Sequence, residues 1–158
     1  MATGAESFYT TSGPSSDVFW TIVSGVLVFI IGQIFLETVL KPKMEYEELR
    51  AKIASNLILY ANLYTDPMIE EDSIRMPDIK KEYDAASNEL RKLASEFVGF
   101  RTKKFRIICS TNDDTMSKVA SELIGLSNGF FTTEKGKDKT IEQNSNRAKN
   151  IKEYLGIS

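Results

Sequence analysis

The chain has 158 residues, a net charge of −2, one cysteine and no histidine. Without histidine it lacks the commonest general base, the commonest zinc ligand and every histidine-dependent nucleophile triad, and Cys109 alone provides neither an intramolecular disulfide nor a cysteine-only zinc site. The near-neutral charge gives no global electrostatic case for wrapping nucleic acid, and the length leaves room for one modest domain beside a membrane segment.

Residues 1–17, MATGAESFYTTSGPSSD, contain Glu6 and Asp17 but no Lys or Arg, and are rich in Ser, Thr and Gly. This composition predicts a flexible tail. The run that follows, Val18 to Leu36, holds no charged residue. As a helix it spans roughly 28 Å, close to the hydrocarbon thickness of a bilayer. Phe19 and Trp20 stand at its start, where an interfacial aromatic belt lies. The absence of Lys or Arg before the run, the length of the run and the lack of an A-x-A site argue against a cleaved signal peptide. Lys41, Lys43, Arg50 and Lys52 follow the run, so the positive-inside rule predicts a single-pass protein of the cell inner membrane, N-terminus out and C-terminal part cytoplasmic. The expected organisation is an extracytoplasmic tail at 1–17, a transmembrane helix at 18–40 and a cytoplasmic helical domain at 41–158.

Within the span, Thr21, Gly25, Val28 and Gly32 recur at helical spacing on one face. Small residues let membrane helices approach closely, so this is the expected helix-packing face. The adjacent stripe carries Val26, Phe29, Gln33 and Glu37. In a symmetric oligomer these would line a pore, with Val26 and Phe29 as a constriction and Gln33 and Glu37 as polar rings. The same stripe equally suits contacts between helices, with Gln33 hydrogen-bonding across them at about 1 kcal/mol or less.

Past Lys41-Pro42 the apolar positions keep helical period. Tyr46, Leu49, Ile53, Leu57, Tyr60 and Tyr64 predict a helix over about 43–64, stopped by TDP at 65–67. MIEEDSIRMPD reads as an exposed acidic loop. Ile79, Tyr83, Ala86, Leu90, Leu93 and Phe97 predict a second helix over about 78–97. FRIIC fits either a short strand near 105–109 or an extended buried run. Met116, Val119, Leu123 and Leu126 mark a third helix over about 112–128, with Gly129 as terminator. A solvated loop, TTEKGKDKT, precedes a final helix over about 140–155. The fold class is therefore all-α: one N-terminal transmembrane helix, then a cytoplasmic bundle of about four helices.

No catalytic constellation emerges, no cofactor motif is present, and the chain does not read as an enzyme. Glu70-Glu71-Asp72 and Asp113-Asp114 suit solvated or helix-dipole roles better than metal binding. Cys109, inside an apolar run and without a histidine partner, reads as an inert thiol. Charge is segregated, however: residues 41–100 have nine basic and twelve acidic side chains, and residues 101–158 eleven basic and seven acidic. Arg101, Lys103, Lys104 and Arg106, interleaved with Phe100 and Phe105, form the strongest basic run. Such a run suits an anionic nucleotide or single-stranded oligonucleotide, or anionic lipid at the membrane surface.

The order of GQIFLETVLKP, IASNLILYANLYTDP, ASNELRKLAS and ASELIGLSN along the chain resembles small single-span bacterial membrane proteins. By layout it is similar to the membrane effectors of antiphage systems, in particular the Hailong type, where a tetrameric membrane effector is controlled by a DNA oligomer. The resemblance implies a homo-oligomeric inner-membrane effector or ion channel, a tetramer by analogy, responding to a nucleotide or oligonucleotide made by a partner enzyme. It carries over no ligand-binding residue. The alternative reading is a non-conducting membrane-anchored adaptor that binds a protein partner.

Overall fold

The computed structural model describes residues 16–102 and 113–157, with the backbone alone at 101, 102 and 113. Two compact units meet in sequence at Leu40 and Lys41. The first contains helix α1 (Ser16–Phe35) and a π-helical turn (Leu36–Leu40). α1 is apolar along its length, none of its side chains is buried, and it is long and apolar enough to cross a membrane. Its 20 residues rise about 30 Å.

The second unit is built from α2 (Lys41–Leu59), α3 (Ala61–Thr65), α4 (Glu70–Arg75), α5 (Pro77–Thr102), α6 (Asp113–Asn128) and α7 (Lys137–Leu155). Two-residue strands β1 (Met68–Ile69) and β2 (Phe131–Thr132) pair in parallel, Met68 with Phe131 and Ile69 with Thr132. All-α is the fold class, with this ladder as a clip: it ties the link after α3 to the link after α6, and the Met68 amide donates to the Phe130 carbonyl at 2.9 Å.

The core is the meeting of the four stripes that the apolar period marks. Tyr83, Ala86, Leu90, Leu93 and Phe97 of α5 are buried against Met116, Val119, Leu123 and Leu126 of α6. Ala148, Ile151 and Leu155 of α7 close one side, and Ile53 and Leu57 of α2 another. Ile79, in the first turn of α5, remains exposed.

Local chemistry moved several boundaries. α5 continues past Phe97 because Phe100 extends the buried stripe by a further helical step, carrying the backbone through Gly99. The segment read as an acidic loop contains α4: Glu70, Glu71 and Asp72 occupy its first turn and Arg75 its last, both favourable to the helix dipole. The expected helix over 43–64 breaks at Tyr60 (φ −97°, ψ 14°), which separates α2 from α3. α7 starts three residues before Thr140, after a 3₁₀ turn at Glu134–Gly136. It ends in a left-handed Gly156 (φ 60°), with the Ile157 amide donating to the Lys152 carbonyl at 2.8 Å, a Schellman cap. The FRIIC segment, with its expected strand near 105–109, lies outside the described residues.

Two tyrosines give the bundle a pH dependence. Tyr64 and Tyr83 are buried, and burial pushes both phenols above their ordinary pKa. The Tyr83 hydroxyl also donates to the Asp66 carbonyl at 2.7 Å. Each folded-state pKa is raised, so the stability they contribute is complete below the unfolded value of about 10 and is lost as pH rises through the folded pKa. Denaturation midpoints measured across this window are expected to fall, with tyrosinate absorbance appearing together with unfolding. Tyrosinate forming in the folded chain at the ordinary pKa would contradict this.

Candidate functional site

In the first unit, Thr21, Gly25, Val28 and Gly32 lie on one face of α1, as their spacing requires. Nothing approaches within 4 Å of the position a Cβ would take at Gly25 or Gly32, so this face is open. Two hydroxyls of α1 are satisfied within the helix: Thr21 donates to the Asp17 carbonyl at 2.7 Å and Ser24 to the Thr21 carbonyl at 2.9 Å. Thr21 therefore contributes small size to the face, with its donor already used. Val26, Phe29 and Gln33 are exposed on the neighbouring stripe.

Glu37 sits differently from the other members of that stripe. The helix changes from α to π at Leu36, so Gln33 and Glu37 belong to different helical segments. A π turn makes i→i+5 bonds and leaves the usual i→i+4 acceptors short of their partners. The Thr38 hydroxyl donates to the Ile34 carbonyl across this junction. π turns concentrate at functional positions, and this one lies where the apolar run ends.

In the second unit, the expected ligand residues Lys103, Lys104 and Arg106 lie outside the described residues, and Arg101 is seen only as backbone at the end of α5. Beside that end is a recess of about 400 Å³ lined by Glu45, Glu48, Leu49, Lys52, Glu96, Gly99 and Phe100. Its ammonium is already engaged: Lys52 Nζ lies 2.9 Å from Glu48. The Glu48 hydrogen bond and charge hold the Lys52 pKa above its ordinary value, with Glu96 and Glu89 adding to the effect. An anion here would meet three carboxylates and one paired cation. The described lining of this recess is therefore acidic in balance.

No protein-family model, curated protein or solved structure matches the chain. Among the described residues no group of three or more carboxylate, thiol or imidazole side chains is placed to hold a metal ion.

Two polar networks on the bundle are fully engaged in packing. Glu122 accepts from Arg147 at 3.1 Å and from Asn150 at 3.0 Å, joining α6 to α7. Arg147 lies over Gly125, whose missing side chain makes the space. Asn144 is 1% exposed, and its amide donates to the Tyr64 carbonyl at 3.0 Å and the Gly129 carbonyl at 2.7 Å. A Cβ at Gly129 would overlap that amide.

The anchoring of Tyr64 by Asn144 shapes a second recess, of about 320 Å³, between the end of α3 and α7. It is lined by Tyr64, Thr65, Ser145, Ala148, Lys149 and Lys152. The sequence reading missed this group because its two walls are about 80 residues apart along the chain. The one signal available was Ser145, Lys149 and Lys152 recurring at helical spacing on the polar side of the last helix.

Proposed function

We propose that the chain is a homo-oligomeric inner-membrane effector that forms an ion channel, with its N-terminus outside and a cytoplasmic bundle that senses an anionic nucleotide or oligonucleotide in bacterial antiphage defence. The observation that carries the membrane half is α1: an apolar helix, exposed on every face, with open space over Gly25 and Gly32 and an exposed amide at Gln33. Such a helix finds its partners in lipid and in other copies of itself, and close approach at glycines drives association where lipid offers no hydrophobic gain. One span encloses nothing by itself, so a pore needs about four copies around an axis. The layout likeness to Hailong-type effectors supplies the tetramer and the DNA-oligomer signal as expectations. Ligand control would operate through different affinity for closed and open arrangements.

The mass of the full chain in detergent tests the assembly directly, and a monomer would end the channel reading. Replacing Gly25 and Gly32 together with Leu is expected to dissociate the oligomer. In planar bilayers, Gln33→Leu and Glu37→Ala are expected to change selectivity or gating. Unchanged currents in both variants would remove these side chains from the lumen.

A second reading, a non-conducting adaptor, draws on apolar residues exposed on the bundle, among them Ile74 (84%) and Ile58 (73%). It predicts an assembled or monomeric protein without conductance, and a protein partner retained by the bundle.

A further inference from the structure

We infer that the recess between α3 and α7 is a binding site for a phosphate group, with Lys149, Lys152 and Ser145 as its donors. Ser145, Lys149 and Lys152 follow one another at i, i+4 and i+7, so α7 presents all three on the face that borders the recess. Lys149 and Lys152 are like charges three residues apart and repel, yet neither makes an ion pair among the described residues. The helix dipole accounts for Lys152 in the last turn of α7. It does not account for a second cation facing the same hollow.

The acidic residue nearest in sequence to the α3 wall is neutralised elsewhere: Asp66 is held by Lys137 at 2.6 Å. Thr65 already donates to the Ala61 carbonyl at 2.8 Å, and the α7 wall supplies the Ser145 hydroxyl and the two ammonium groups as donors. Tyr64 and Ala148 are buried and form the apolar side of the recess. The wall is set in advance, because Asn144 pins the Tyr64 backbone from inside the core. A preformed hollow loses little entropy on binding. Its volume of about 320 Å³ reaches the lower end of the range of small-molecule sites, about 300 Å³.

The acidic recess beside α5 offers none of this, so the phosphate chemistry of the described bundle belongs at α7. The site deepens the sensing half of the reading above and rests on it only for what binding does. Phosphate on a nucleotide and phosphate on a lipid headgroup share this chemistry, and the experiment separates them.

The full chain is titrated calorimetrically with pyrophosphate and 5′-dAMP in a neutral detergent, and separately placed in nanodiscs of phosphatidylcholine with or without phosphatidylglycerol. Binding of at least one soluble probe is expected, weakened about tenfold or more by Lys149→Gln or Lys152→Gln. Ser145→Glu, which adds a carboxylate to the same hollow, should weaken it as well. Charge reversal at Arg101, Lys103, Lys104 and Arg106 should leave it in place. The three α7 positions are exposed, so circular dichroism should report an intact bundle in each variant. Lysine-dependent binding seen only with phosphatidylglycerol would assign the site to a lipid headgroup. Absence of binding in every arm, or binding that survives Lys149→Gln/Lys152→Gln, overturns the inference. Because binding is read without current, its failure leaves the channel reading standing.

Discussion

Phe97→Ala should destabilise the bundle by about 3–5 kcal/mol, the cost of removing a fully buried aromatic from a closed core. Phe97 has no exposed surface. It sits where α2 and α5 meet, with its ring centroid 6.0 Å from that of Tyr46, and Phe100 lies at the same distance from that tyrosine. The cavity would open in the seam between α2 and α5, and the ring contacts would be lost with the buried area. Urea denaturation of the full chain in mild detergent, followed by far-ultraviolet circular dichroism, reads the effect as a shift in midpoint. Phe97→Leu should recover most of it, because volume is nearly conserved. A loss below about 1 kcal/mol for the alanine variant, an ordinary value for a point substitution, would mean that the seam is not packed as described.

The second large effect is expected at a buried polar residue. Asn144→Ala should cost about 2–5 kcal/mol, because the buried Tyr64 carbonyl and the part-buried Gly129 carbonyl lose their donor together. The penalty exceeds the net worth of two hydrogen bonds, since an acceptor left dry pays its full desolvation. Gly129→Ala attacks the same joint from the other side, placing a methyl group where the amide lies. The two substitutions therefore should not add: once the amide is gone, the methyl has room, and a double-mutant cycle should show strong coupling. Additive effects would mean that Gly129 is required for some other reason. Asn144→Ala should also release the α3 wall, weakening any phosphate binding at Lys149 and Lys152 without touching either lysine.

Much of the fold was legible because burial here follows helical period. The stripes on α5 and α6 are the core, residue for residue from Tyr83 to Phe97 and from Met116 to Leu126. The apolar helix α1 was legible for a different reason: its apolarity is independent of period, so it shows in length and composition. Where the reading was incomplete, a local effect outweighed the pattern. The acidic run 70–72 begins a helix because three carboxylates in a first turn suit its dipole. Tyr60 interrupts a pattern that stays periodic across it, and so left no mark in the spacing.

The candidate sites divide along the same line. The glycine face of α1 and the basic run at 101–106 are contiguous features, readable by spacing alone. The paired acidic and basic recesses are not, since each is made by elements distant in the chain.

By itself the sequence determined that an apolar helix precedes an all-α bundle, that the bundle's core follows four stripes, and that histidine chemistry is absent. Periodicity and composition are local properties, and these conclusions need nothing more. Only the tertiary structure decided that Asn144 holds Tyr64 and Gly129, that the recess beside Phe100 is acidic, and that Lys149 and Lys152 border a hollow closed by α3. Each depends on which helices become neighbours, and that is settled by packing across the whole chain.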